Sequence, residues 1–467
     1  MRKRHLFSIL AAAMATGGCD PNVPQTPPIT GARPTFNSVT GAIPLPSDVL
    51  RDPQTGRLML PIVPSDSDLT KEVKAGLNKL DGWLAGQTIT IPFGAKIDDT
   101  PNLASKVRLY DVTTSPAKLW PSSDYYVAFN VGRDGTVPTS PPYTLFIRAK
   151  PADGPLPRDF DRGHRYAALV TSDVTYDGGK AFLDDPVLYF LRSSTPLADI
   201  DAGHSVTVLP DSQALQLEPT RVVYNDAFKA ITAAEPTFDR TRALAFTVFT
   251  VESAARAVFN PTPVGTVLPA PIDPISGASV AAPLTSTPSI SFDAPLAADS
   301  VAKGSYLFAW PPSGILSSIT STASATDSET PRLTLSPTAP LSPSTTYVVV
   351  LTDSILSKNG RPTVALSYFG LVRYAPKLLD TTVTPAVLGS PLIDNTLDVL
   401  ISALVNKDPA TATSADWEQA YTLLVPNLVT LETWRSAYGK YFVALKAQKN
   451  IDRVSVTALW SFTTKAN

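Results

Sequence analysis

Arg165-Tyr166-Ala167-Ala168-Leu169-Val170-Thr171, followed by Asp177-Gly178-Gly179-Lys180, is the stretch on which the fold turns, because the chain carries it twice. The second copy is Thr346-Tyr347-Val348-Val349-Val350-Leu351-Thr352, followed by Lys358-Asn359-Gly360-Arg361. Tyr166 and Tyr347 stand 181 positions apart, and so do Gly179 and Gly360. Each copy reads as a strand and then a tight turn that demands positive φ, hence Gly beside Asp or Asn. Tyr189-Phe190 and Tyr368-Phe369 follow at matching places and read as the next strand. A spacing of this size is that of a whole domain, so the chain is read as a domain duplication.

A second match closes each half. Leu217-Glu218-Pro219-Thr220-Arg221 leads through Tyr224 and Phe228 to Asp239-Arg240 and Phe249-Thr250. Leu431-Glu432-Thr433-Trp434-Arg435 leads through Tyr438 and Phe442 to Asp452-Arg453 and Phe462-Thr463. Tyr224, Phe228 and Ile231 fall at i, i+4 and i+7, as do Tyr438, Phe442 and Leu445, which predicts an amphipathic helix in each half. The alternation of Leu244, Phe246 and Val248, and of Val454, Val456 and Ala458, predicts a strand after each helix. Short alternating segments at 88–93, 107–112, 125–131, 143–148, 289–292 and 332–336 complete a pattern of many short strands, which argues for β-sandwiches. The exception is a helical insert in the second half, residues 376–430. Leu392, Leu397, Leu400, Ile401 and Leu404 mark one helix there, and Ser414 is a candidate N-cap for another ending near Leu424.

Composition narrows the partners. A formal net charge of -2 leaves no basic footprint for nucleic acid. The 45 prolines in 467 residues are about twice the usual share, as a turn-rich β protein requires. They concentrate in residues 20–35 and again from Asn260 to Pro274, where their density opposes strand pairing. The predicted layout is therefore a signal segment 1–18, a Pro-rich tether 19–35, a first domain 36–258, a linker 259–274 and a second domain 275–467.

The N-terminus predicts export. Arg2, Lys3 and Arg4 precede an apolar run from Leu6 to Met14, then small residues, then Cys19. This is the layout of a secretory signal peptide, and the run is shorter than the ~20 residues a bilayer span needs. Cys19 is the single cysteine of the chain, so it has no disulfide partner within it. Thr16-Gly17-Gly18-Cys19 resembles the bacterial lipobox, with Thr16 where that motif prefers Leu. The resemblance implies a diacylated Cys19 as the mature N-terminus and a membrane as partner through that lipid. The outer membrane or cell surface is the expected location, rather than the inner membrane.

Residues 36–111 carry a further resemblance. Phe36-Asn37, Ile43-Pro44-Leu45-Pro46-Ser47-Asp48, Gly56-Arg57-Leu58-Met59-Leu60-Pro61, Leu77-Asn78-Lys79-Leu80-Asp81-Gly82-Trp83 and Ile91-Pro92-Phe93 follow one another in the order seen in the N-terminal domain of bacterial virulence-factor lipases. The segments around Tyr166 and Tyr347, the latter preceded by Leu341-Ser342-Pro343-Ser344-Thr345-Thr346, resemble bacterial Ig-like domains of the S-layer type. The implied fold is mainly β, with two tandem Ig-like sandwiches, each with an amphipathic helix before its last strand. The lipases continue into a hydrolase domain with a G-x-S-x-G nucleophile elbow. Here the nearest sequences, Gly203-His204-Ser205-Val206-Thr207 and Gly277-Ala278-Ser279-Val280-Ala281, lack the second glycine.

Candidate chemistry is sparse. After signal removal His164 and His204 are the remaining imidazoles, both in Gly-containing turns, and a Ser-His-Asp triad would need one of them. No sequence cluster of Cys, His and carboxylates marks a transition-metal site. Asp66/Asp68, Asp98/Asp99 and Asp184/Asp185 offer oxygens for calcium, but fit Asp in turns better. Trp83, Trp120 and Trp310 are read as exposed aromatics able to bind glycan or lipid. The expectation is a non-enzymatic envelope lipoprotein, with no cofactor, acting as Ig-like scaffold or binding module toward an envelope protein or polymer. The alternative is a lipase- or esterase-related protein, or the accessory subunit of a separate hydrolase docked through the insert.

Overall fold

The computed structural model describes residues 30–36, 42–52, 54–98, 100–129, 139–150, 160–258, 267–273, 276–328, 330–365, 367–380, 387–388 and 413–466. The signal segment, Cys19, the first helix predicted in the insert and more than half of both the tether and the linker lie outside these residues.

Both tyrosines of the repeat lie on the inner strand of a four-stranded antiparallel sheet. In the first unit Arg165–Thr171 runs between Ala243–Thr250 and Val107–Asp111, with Lys118–Leu119 at the edge. In the second, Thr346–Thr352 runs between Val456–Thr463 and Ser305–Trp310, with Ser317–Ser318 at the edge. Register repeats as well: Tyr166 faces Phe249, and Tyr347 faces Phe462. A companion sheet orders Ile89–Phe93, Tyr143–Ala149 and Tyr125–Phe129 in the first unit. Its counterpart orders Val267–Leu268, Ser289–Ser291, Arg332–Pro337 and Ser321–Ala325 in the second. Each unit is thus an Ig-like sandwich, and the chain is mainly β.

The predicted helices precede the last strand of each unit, at Asp211–Ala234 and Ser414–Lys449. They change what the strand alternation means. Alternation predicts a half-buried strand, yet seven of the eight residues in both Ala243–Thr250 and Val456–Thr463 are buried. Phe246 packs on the helix through Tyr224 and Phe228, with ring centroids 5.0 and 4.3 Å away. Phe249, on the opposite face, packs on Phe160 and Tyr166. With a helix on one side and side chains of the sandwich core on the other, neither face meets water.

Three sequence expectations change. Tyr189-Phe190 and Tyr368-Phe369 belong to short helices, Pro186–Leu191 and Ser367–Val372, rather than strands. Asp185 caps the first of these through Val187 N–H (2.9 Å), and Pro186 stands where a helix start tolerates proline. The helix predicted from Ser414 to Leu424 does not stop but runs unbroken into the one that carries Tyr438. Its cap is Thr413, whose backbone N–H donates to the Asp416 carboxylate (2.8 Å) while its hydroxyl accepts from Asp416 N–H (3.3 Å). Finally, the described residues of Met1–Gly56, Gly82–Glu252 and Asp398–Ala420 form one unit. Those of Arg57–Asp81, Ser253–Leu397 and Tyr421–Asn467 form the other. Arg57–Asp81 therefore belongs to the second unit, not to the domain in which its sequence position placed it. Within that unit its Lys79 ammonium reaches Asp353 at 2.6 Å, and its Glu72 carboxylate accepts from Ala375 N–H at 3.1 Å.

Each tyrosine also ties down the loop before its strand. Asp161 N–H donates to Tyr166 Oη (3.0 Å) and Ser342 N–H to Tyr347 Oη (2.8 Å), five residues upstream in both units. This is the tyrosine-corner bond of Ig-like sandwiches. Tyr166→Phe and Tyr347→Phe are each expected to lower stability by about 1–2 kcal/mol in urea unfolding, because each orphans a backbone donor.

Candidate functional site

Residues remote in sequence converge beside the first tyrosine corner. Asp161, Arg162, Gly163 and His164 form a turn closed by His164 N–H on the Asp161 carbonyl (3.2 Å). Gly163 takes φ 75°, which the tight turn requires. The turn brings the first and fourth side chains together. Asp111, at the end of Val107–Asp111, completes the group: its Oδ2 lies 2.8 Å from His164 Nδ1. One ligand atom from each of Asp111, Asp161 and His164 lies within 4.8 Å of the others.

The group is held by its surroundings. Asp111 Oδ1 accepts from the backbone N–H (2.9 Å) and hydroxyl (2.5 Å) of Thr113. Tyr166 Oη lies 3.4 Å from Asp161 Oδ2, and the His164 ring stacks on Tyr166. Burial pushes the Asp111 carboxyl up, but Thr113 and His164 outweigh it and hold the group below the usual carboxylate range. The His164 side chain stays 41% exposed, so the group opens to solvent.

No such cluster shows along the sequence. Asp111 and His164 are 53 positions apart, and only the pairing of Asp111 with Tyr166 across the sheet brings them together. The signal available was local: an Asp-x-Gly-His turn two residues before a strand tyrosine.

The other candidates resolve differently. His204 sits in an exposed hairpin with its Nδ1 3.0 Å from the Ser205 carbonyl. Among the described residues neither His164 nor His204 takes a hydrogen bond from a serine hydroxyl. Asp66 binds the Lys74 ammonium (2.8 Å), and Asp68 lies in the first turn of the helix Asp68–Leu77. Asp98 accepts from Gly179 N–H (2.9 Å), Asp184 pairs with Arg192, and Asp185 caps a helix; Asp99 lies outside the described residues. Trp83 and Trp120 are buried, at 2% and 5% exposure, which corrects the expectation that they are surface aromatics. Trp310 is half-buried with its ring edge against Tyr441.

The most distinctive motifs also have structural work. Gly82 N-terminal to Trp83 lets the chain lie against Thr250 and Glu252, and Trp83 Nε1 donates to the Ser47 carbonyl (3.2 Å). Glu218 and Arg221 form a buried ion pair whose carboxylate also accepts from Leu197 N–H (2.7 Å). Glu432 and Arg435 repeat it, accepting from Leu378 N–H (2.9 Å).

A family model for bacterial Ig-like domains matches residues 270–369. A crystal structure of the N-terminal part of the bacterial S-layer protein SbsC is similar at 16% identity and a TM-score of 0.16. That similarity covers 32% of this chain and 26% of the other, so the chain spans about a quarter of that structure. No curated protein matches the chain.

Proposed function

We propose that the chain is an exported lipoprotein, acylated on Cys19, whose Ig-like units serve as a non-catalytic scaffold or recognition module of the cell envelope. The observation that carries the reading is the Ig-like match over 270–369, in a chain whose N-terminus has the order basic, apolar, small, Cys19. Its support is that the repeated polar motifs serve as architecture, as with the Glu218–Arg221 and Glu432–Arg435 pairs. A sandwich with rigid cores and solvent-facing loops is suited to presenting recognition surfaces. No helix among the described residues is long and apolar enough to cross a membrane, and lipid on Cys19 would supply the attachment instead.

Labelled palmitate fed to the producing bacterium is expected to enter the wild-type protein and not Cys19→Ala. The variant should also leave the membrane fraction. Equal labelling of both proteins would defeat the lipoprotein reading.

A further inference from the structure

The duplication supplies an internal control for the group at the first tyrosine corner. The second unit repeats the turn, with Ser344 at φ 46° where Gly163 stands, and repeats the bond from the turn's first N–H to the strand tyrosine. Its residues at the places of Asp161 and His164 are Ser342 and Thr345. Where Asp111 pairs with Tyr166, Ala309 pairs with Tyr347. The same backbone is therefore built without either carboxylate or the imidazole. The fold does not need these three side chains, and in the first unit they converge on one another.

We infer that Asp111, Asp161 and His164 form a binding site for a divalent transition-metal cation. Two carboxylates and an imidazole are a donor set suited to zinc, nickel or cobalt. Ligand atoms about 2.1 Å from one cation must lie within roughly 4.2 Å of each other. Asp111 Oδ2 and His164 Nδ1, 2.8 Å apart, already satisfy this. Asp161 is exposed and offers a ligand atom already within 4.8 Å of the other two, so the gap left to close is small.

The surroundings are those of a supported site. Thr113 occupies Asp111 Oδ1 and so presents Oδ2, and Tyr166 holds the Asp161 backbone and lies beside its carboxylate. Such outer partners orient ligands and raise affinity. Three protein ligands leave at least one coordination position facing solvent, where a carboxylate or imidazole of another molecule can bind. The alternative is an ordinary surface His–Asp pair with Asp161 nearby.

The test is titration of the purified full chain with Co2+, followed by its visible absorption, and with Zn2+ by calorimetry. Wild type and His204→Ala are expected to bind a single cation with equal affinity. His164→Ala and Asp161→Asn are expected to bind at least about tenfold more weakly. Circular dichroism confirms that each variant is folded; should His164→Ala fail to fold, the exposed Asp161→Asn carries the reading alone. A wild-type chain that binds neither cation, or a folded Asp161→Asn and His164→Ala with wild-type affinity, overturns the site.

Discussion

Gly82→Ala is expected to lower the stability of the first unit by about 3 kcal/mol, read as a fall in its urea midpoint at unchanged slope. A Cβ at this position would lie 2.6 Å from the Thr250 carbonyl oxygen, and 2.7 Å from both Glu252 N and the Val251 carbonyl carbon. All three are backbone atoms, so no flexible side chain can yield. Nor can the backbone easily part. Trp83 N–H donates to the Thr250 carbonyl (2.8 Å), and Glu252 N–H donates to the Trp83 carbonyl (2.9 Å). The Trp83 ring is buried beside them. Gly178→Ala is the control: its φ of 77° disfavours alanine, but nothing lies within 4 Å of the added atom. It should cost about 1 kcal/mol. Equal losses at the two positions would show that close approach is not why Gly82 is needed.

Glu218→Ala is expected to cost about 3–5 kcal/mol, the penalty for leaving a buried charge without its partner. Both side chains of the Glu218–Arg221 pair are 5% exposed. The carboxylate accepts from Arg221 Nε (2.8 Å) and Nη2 (2.6 Å) as well as from Leu197 N–H. Glu432→Ala should cost less, because the second pair is 12–13% exposed and water can reach its remnants. Replacing Glu218 and Arg221 together by apolar residues of similar size should recover much of the loss. An acid dependence follows with a definite sign. Burial raises the Glu218 carboxyl, but Arg221 and the Leu197 N–H outweigh it and leave the group below its ordinary value. Unfolded, it titrates near pH 4.3. Its stabilisation is thus complete above that pH and is lost as pH falls through the lower, folded value. Glu218→Gln should therefore show a flatter loss of stability below about pH 4 than wild type. An unchanged acid limb would assign the acid sensitivity to other carboxylates.

The repeat made much of the fold legible. Strands carry period and turn chemistry locally, and the two tyrosine strands lie at the predicted 181-residue spacing as Arg165–Thr171 and Thr346–Thr352. What local pattern misses is what sets elements against each other. Tyr189-Phe190 reads as strand by residue type, yet the Asp185-Pro186 start and tertiary packing make it helix. Trp83 and Trp120 read as exposed aromatics, Trp120 because it precedes a proline, but both rings fill the interior of the first unit. The Asp111–Asp161–His164 group was illegible for the same reason: its members meet through a cross-strand pairing, not through spacing along the chain.

The placement of Arg57–Asp81 reaches beyond stability. Those residues emerge from the ribosome early, yet their partners Asp353 and Ala375 are made 274 and 303 residues after Lys79 and Glu72. At about 5–20 residues per second this leaves an interval of tens of seconds before the segment can meet those two partners. Cutting the gene at the Pro-rich linker would likewise separate the second unit from a piece of itself. A fragment starting at residue 275 would carry Asp353 with no Lys79 to meet it, so the second half of this duplicated chain cannot be excised at the linker as a self-contained module.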